Sequence, residues 1–174
     1  RIVSRENKNK IFTDGEVIDV SNGIHTFHKN HNKPVFKKKV ALDYQVDYID
    51  GSSILLRTAV IKELGFLPEE YFLYWEETDW CTMAKRHNWK LAVNSSAIVY
   101  NLNSYKGSNF HYFFNRNKLL FSKKYQLNYR EVKKREIQLL LNEVRNRFRG
   151  EYLRPYFISR FKGVFSGLLK NALK

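Results

Sequence analysis

Apolar and polar positions change their period several times along this chain. Residues 1–45 are mostly polar, with short runs at Ile11-Phe12 and from Glu16 to Val20 that predict two brief strands among loops. Val46 and Tyr48 then alternate with polar neighbours. Gly51 interrupts, and Ile54-Leu55-Leu56 predict a second, buried strand. Thr58 reads as the N-cap of a short helix, Ala59 to Leu64, closed by Gly65. An aromatic stretch holding Phe66, Tyr71, Phe72, Tyr74 and Trp75 leads into Glu76-Glu77-Thr78-Asp79. These open a helix to about His87, with acids at its start and Lys85, Arg86 and His87 at its end, as the helix dipole prefers. Leu91 to Tyr100 predicts a strand centred on Ala97, Ile98 and Val99.

From about Asn109 the pattern is helical. Phe113, Leu120 and Phe121 line a first stretch, and Ile137, Leu140, Leu141, Val144 and Phe148 step by three or four along one face of a second. Pro155 breaks the pattern. Phe157, Phe161, Val164, Phe165, Leu168 and Ala172 then form a third stripe, with Arg160, Lys162 and Lys170 outside it. The chain thus divides into a mixed α/β part, residues 1–108, and a helical extension, residues 109–174.

Composition sharpens this division. The 174 residues carry a net charge of +14, yet residues 1–104 hold 14 Lys/Arg against 13 Asp/Glu. Residues 105–174 hold 17 against 4, so the basic excess belongs to the helical extension. Such an excess suits polyanions: an anionic membrane face, nucleic acid or phosphorylated substrates. The apolar stripe from Phe157 to Leu168 with flanking Lys/Arg reads as a helix lying on anionic lipid, or as one packed on the rest of the protein. Nucleic acid is disfavoured because the aromatics from Tyr71 to Trp75 adjoin acids that repel phosphate, and no nucleic-acid motif is present. At 43% hydrophobic and 16% aromatic residues the chain can build a core, which excludes wholesale disorder. A single cysteine, Cys81, excludes an intrachain disulfide and a Cys-rich zinc site, and suits a reducing compartment. No run approaches the ~20 apolar residues of a membrane-spanning helix. The opening Arg1-Ile2-Val3-Ser4-Arg5 is not a secretory leader, and the missing initiator methionine suggests a fragment or a processed product.

Two clusters carry candidate chemistry. His25, His28 and His31 have a spacing open to metal binding, but no acid or cysteine lies among them in sequence and their context is loop-like. In Tyr71-Phe72-Leu73-Tyr74-Trp75-Glu76-Glu77-Thr78-Asp79, three carboxylates fall within four residues. On a helix, Glu76 and Asp79 share a face while Glu77 points about 100° away. An acid among aromatics has a raised pKa and suits a general base; the alternative is plain helix capping.

The ordered pieces Val46-Asp47-Tyr48, Gly51, Arg57, Gly65-Phe66, Tyr71-Phe72, Tyr74, Glu76-Glu77, Asp79 and Arg86 are followed by Ala97, Val99 and Tyr112-Phe113-Phe114-Asn115-Arg116-Asn117. This series resembles the C-terminal half of the family 2 glycosyltransferases of GT-A fold, especially the rhamnosyltransferase-like branch. The resemblance covers most of residues 10–125. It implies a partial GT-A fold, the acceptor-side half of a nucleotide-diphospho-sugar transferase, in residues 1–108, followed by the basic helices.

The resemblance also implies roles. The family's Glu-Asp pair supplies the base, and its second member falls on Glu77, with Glu76 and Asp79 as the neighbouring candidates. Asp50, Gly51 and Ser52 match the loop lining the sugar site. Trp75 and Arg116 match substrate contacts, Arg116 toward the donor diphosphate or toward an acid of the preceding helix. The implied reaction is inverting transfer from a nucleotide-diphospho-sugar donor to a saccharide or lipid-linked acceptor, in polysaccharide or glycolipid synthesis. The implied setting is the cytoplasm, or the inner face of the membrane. The family uses Mg²⁺ or Mn²⁺ held by a D-x-D motif, often with a His after the "A-x-V" strand. Here that His position is Asn101, and residues 1–174 contain no D-x-D. The nucleotide-binding half is therefore not among these residues, and the resemblance implies no activity for them alone.

Overall fold

The computed structural model describes residues 1–35, 42–102, 106–150 and 152–173. The Lys37-Lys38-Lys39 run lies outside the described residues. In chain order the elements are β1 (Ile2–Ser4), β2 (Ile11–Thr13), β3 (Glu16–Asp19), β4 (His25–His28), β5 (Leu42–Asp43), α1 (Thr58–Leu64), α2 (Glu76–Arg86), β6 (Val93–Asn94), β7 (Val99–Asn101), α3 (Ser108–Lys124), α4 (Tyr129–Phe148) and α5 (Phe157–Ala172). The architecture is mixed α/β, with small sheets and five helices. Contacts divide the chain into two units. One takes Arg1–Ile18, Thr26–Glu69 and Glu76–Ser104; the other takes Asp19–His25, Glu70–Trp75 and Tyr105–Lys174.

In the first unit β1 is the centre of a three-stranded sheet in the order β2-β1-β7. It runs antiparallel to β2, with the register slipping between Ile2 and Val3, and parallel to β7 through Ile2↔Val99, Val3↔Tyr100 and Ser4↔Asn101. β3 pairs with β4, and β5 with β6. The turn between β2 and β3 requires glycine on two counts. Gly15 has φ +93°, and a Cβ there would sit 2.6 Å from Val46 Cγ1. That turn delivers Glu16 to the start of β3.

The core of this unit is Tyr48, Val60, Trp80, Cys81 and Ala84, joined by the half-buried Ile49, Ile54 and Leu56. The expected Ile54–Leu56 strand does not form. Ile54 and Leu56 lean on the core while Leu55 between them is 99% exposed, the alternation of an extended segment with no ladder partner. Thr58 is the first residue of α1 and not its cap; Arg57 holds that place with extended backbone and no capping side-chain bond. The single strand expected over Leu91–Tyr100 is two short ones. Asn94 Oδ1 accepts from the amides of Ser96 (2.9 Å) and Ala97 (3.3 Å), turning the chain between β6 and β7. Ile98, Val99 and Tyr100 are exposed.

In the second unit α3 packs along α5 at a distance only glycine permits. A Cβ on Gly163 would lie 2.3 Å from the Tyr112 carbonyl oxygen, and one on Gly167 2.9 Å from that of Arg116. Val164 and Asn171 complete this buried face, and the Asn171 side chain donates to the Leu119 carbonyl at 3.0 Å. The stripe expected for α5 is therefore split. Val164 is buried, whereas Phe161 and Phe165 stack on each other on the outside. On α4 the buried positions are Val132 and Glu136; Glu136 accepts from Lys118 Nζ at 2.7 Å. The expected stripe ends in solvent, with Leu141, Val144 and Phe148 exposed. No described helix is long and apolar enough to cross a membrane.

Candidate functional site

The three acids of the predicted base segment occupy the first turn of α2, where the helix dipole favours negative charge. Their environments differ. Asp79 is wholly buried. Glu76 and Glu77 are half-buried, and each has an oxygen, Oε2, with no hydrogen-bond partner among the described residues. Burial raises the pKa of Glu76. Glu77 is pushed up to about 7, first by burial, then by the charge of Glu76, with smaller contributions from Asp50 and Glu16.

Glu77 meets the Asp50–Ser52 loop. A Cβ on Gly51 would lie 3.7 Å from both Cγ and Cδ of Glu77, so the Gly51 backbone runs against that side chain. Asp50 closes the loop with Oδ1, which accepts from the Ser52 amide at 2.9 Å and from the Ser52 hydroxyl. Gly51 and Ser52 are exposed and Asp50 half-buried. Asp50 also lines an open cavity of about 500 Å³ with Arg1, Thr13, Gly15, Ser53 and Asn94. A neighbouring cavity of about 600 Å³ is walled by Ile49, Ile54, Trp80, Cys81 and Trp89 and is mainly apolar. Burial holds the Cys81 thiol up at about 11, so it is a core group and not a nucleophile.

Glu16 is the acid that sequence reasoning missed. It is 1% exposed, its Oε1 faces His28 Nδ1 at 2.7 Å, and its Oε2 has no partner among the described residues. Burial raises its pKa, against the lowering by the His28 hydrogen bond. Glu16, His28 and Asp50 each offer a ligand atom, all within 4.8 Å of one another. The expectation that no acid accompanies the histidines holds only in sequence. Pairing of β3 with β4 and the bridge from Glu16 to Tyr48 bring two acids to His28. The other histidines are occupied elsewhere: His25 Nε2 meets the Asn22 carbonyl at 2.9 Å, and His31 Nδ1 the Phe12 carbonyl at 2.8 Å. The available signal was Asp14-Gly15-Glu16, two acids astride a glycine between apolar runs. Of these, Asp14 is neutralised by Arg1, whose Nε and NH2 donate at 2.8 and 2.9 Å.

Two predicted substrate contacts belong to the other unit. Trp75 is buried there, its ring 5.4 Å from Phe114 and 5.2 Å from Phe121. Arg116 is buried as well, and its guanidinium donates to the carbonyls of Glu70 (2.9 Å) and Tyr71 (2.7 Å) and to Asn117 Oδ1 (2.7 Å). Its partners are two carbonyls of the aromatic loop and the Asn117 side chain. Asn117 does the same, its amide nitrogen reaching the carbonyls of Tyr71, Leu73 and Tyr74 at 2.8–2.9 Å. The loop needs that hold, because Phe72, Tyr74 and Trp75 all have positive φ, between 63° and 76°.

Asn101, at the position where the resemblance puts a metal-binding His, lies in β7 with its carbonyl accepting from the Arg5 amide at 2.9 Å. Among the described residues no cluster of His, Cys, Asp and Glu forms around it. The residues present do not fit the family's D-x-D and His metal site.

The comparisons with known proteins are narrow. A stretch of 43 residues is 37% identical to the low-salt glycan biosynthesis hexosyltransferase Agl10 of Haloferax volcanii. It covers 25% of this chain and 14% of that protein, so the chain matches a small part of the relative's length. No family model and no solved structure matches the chain.

Proposed function

We propose that this chain is the acceptor-side part of a family 2 glycosyltransferase of GT-A type, with Glu77 as the base. The observation that carries the reading is the state of Glu77. Its carboxyl stands in a group of acids, keeps an oxygen without a partner among the described residues, and is pushed up to a pKa of about 7. A base poised near the working pH is what proton abstraction from a sugar hydroxyl requires. The partial likeness to a hexosyltransferase supports the same chemistry.

In the proposed reaction the acceptor hydroxyl gives its proton to Glu77 as its oxygen attacks the anomeric carbon. The bond to the nucleotide diphosphate breaks on the opposite face, which inverts the centre. Glu76 keeps the Glu77 proton affinity high through its charge, and the Asp50–Ser52 loop forms the wall on which the acceptor rests. Residues that hold the donor and its diphosphate are assigned to the part of the protein not represented in these 174 residues.

The test is transfer from labelled nucleotide sugars by the full-length gene product and its Glu77→Gln variant. Loss of a base lowers turnover by about 10²–10⁴-fold. A fully active variant removes Glu77 from the role, and transfer by the 174-residue chain alone overturns the assignment of donor binding to another segment.

A second reading, binding to an anionic membrane, is favoured by the outer face of α5. Ile158, Phe161, Phe165 and Leu169 are all exposed along it, with Lys162 and Lys170 beside them, in a segment that carries the basic excess. Co-sedimentation with phosphatidylserine vesicles but not with phosphatidylcholine vesicles is expected, and equal recovery with both counts against it.

A further inference from the structure

We propose that Glu16, His28 and Asp50 form a binding site for a divalent transition-metal ion. A cluster of carboxylates alone would not carry this, since acids often gather without a ligand. Three further observations do.

First, the set is mixed, with one imidazole nitrogen and two carboxylate oxygens on three separate segments, all within 4.8 Å of one another. Ligands around a tetrahedral ion at 2.0–2.2 Å stand roughly 3.4 Å apart. Small rotations of the exposed His28 and half-buried Asp50 side chains close that difference. Second, Glu16 Oε2 is a buried carboxylate oxygen with no partner among the described residues. An orphan of this kind is unfavourable unless a proton or a cation meets it. Third, no described Lys or Arg pairs with Glu16, Asp50, Glu76 or Glu77, although residues 1–104 hold 14 Lys/Arg. Nearby acids are served elsewhere: Asp14 by Arg1, Asp43 by Lys29 and Asp47 by Lys85. Asp14, Asp43 and Asp47 thus each have a cation against them, and Glu16 and Asp50 have no Lys or Arg among the described residues.

The surroundings suit a metal ligand. The His28 ring lies in tilted contact with Phe12 at 4.6 Å and with His31 at 5.4 Å, which supports it on one side. Glu16 is set by the Gly15 turn and by backbone bonds from its N–H to Tyr48 and to its carbonyl from Asp47. Asp50 is set by its turn onto Ser52. Three protein ligands leave further coordination positions open. The imidazole nitrogen favours Zn²⁺ over Mg²⁺ and Ca²⁺, which prefer oxygen-only sets, while the two carboxylates also suit Mn²⁺. This site is separate in position and ligand type from the D-x-D and His set that the residues do not fit.

The experiment is calorimetric titration of the 174-residue chain with Zn²⁺, Mn²⁺ and Mg²⁺ in separate runs, with loss of the free Mn²⁺ paramagnetic signal as a second readout. One Zn²⁺ or Mn²⁺ per chain is expected, bound at least tenfold more weakly by His28→Ala and by Asp50→Asn, while His31→Ala shifts affinity less than threefold. Glu16 is buried, so Glu16→Gln is scored only where its circular dichroism matches the parent; the two outer variants decide otherwise. No binding of either ion at submillimolar concentration overturns the proposal, and so does binding that both outer variants leave unchanged. Because the readout is binding, its failure leaves the transfer reading standing, and the reverse holds too.

Discussion

Replacing Glu77 by glutamine separates its proton from its shape. An unfolded glutamate titrates near 4.5 and the folded one at about 7. Between those values the native state keeps a proton that the unfolded state has released, so stability falls as pH rises. The contribution is fully present below pH 4.5 and is lost as pH climbs through 7. At 1.36 kcal/mol per pH unit the interval corresponds to about 3 kcal/mol, of which about 2.5 kcal/mol falls between pH 5 and 8. The figure is a ceiling, because Glu77 keeps some solvent exposure. The charges facing it are those of Glu76, Asp50 and Glu16, and the ionisable Tyr48 and Cys81 also feel it.

Glutamine mimics the protonated side chain at every pH. Urea unfolding of parent and Glu77→Gln should therefore agree near pH 4.5, and the variant should gain by up to about 2.5 kcal/mol on going from pH 5 to pH 8. Tryptophan fluorescence is suited to the measurement because Trp80 and Trp75, one in each unit, are both buried. Taking the difference between two pH values cancels any packing change the amide introduces. A variant-minus-parent difference flat to within 0.5 kcal/mol, or falling with pH, refutes the claim that Glu77 is held protonated by burial and by Glu76.

Three other substitutions test the fold. Asn117→Ala removes the donor shared by three loop carbonyls and should cost about 3 kcal/mol in urea unfolding, with a loss under 1 kcal/mol denying it that role. Gly163→Ala drives a Cβ into the Tyr112 carbonyl and should cost about 3 kcal/mol, read as a lower unfolding midpoint. Leu55→Ser, at a position 99% exposed, should change stability by no more than about 0.5 kcal/mol, whereas a core strand residue would lose several times that.

The helices were legible in the sequence because their signals are local. Acids at Glu76–Asp79 and bases at Lys85-Arg86 bracket α2, and Pro155 separates α4 from α5. Which helical face is buried was less legible. Hydrophobic spacing left the Phe161 and Phe165 stripe open between a lipid surface and the protein interior; Gly163 and Gly167 allow closer approach of another helix, and that contact decides the orientation. The strands were poorly legible because most are two to four residues long and depend on distant partners, as when β1 pairs with β7. The turn that splits Leu91–Tyr100 did leave a cue, Asn94-Ser95-Ser96, whose Asn side chain competes with strand pairing. At the candidate site, the acidic run made Glu76, Glu77 and Asp79 candidates from the sequence, and the resemblance singled out Glu77. Glu16 was not a candidate, since only tertiary folding brings it to His28 and Asp50.

The aromatic loop shows how two pieces of the resemblance, distant in sequence, act together in the fold. Tyr71-Phe72-Leu73-Tyr74 and Asn115-Arg116-Asn117 are separate pieces of the resemblance. In the structure the two pieces form one device. Three residues of the loop have left-handed backbone, a conformation that costs about 1–3 kcal/mol each for side chains of this size. Their carbonyls then face α3, where Arg116 and Asn117 of the same unit receive them. A lysine at 116 could keep the charge but not the planar set of donors that serves Glu70, Tyr71 and Asn117 together. The charge of Arg116 thus matters less than its geometry. What the geometry fixes is the path of the backbone from Glu70 to Trp75.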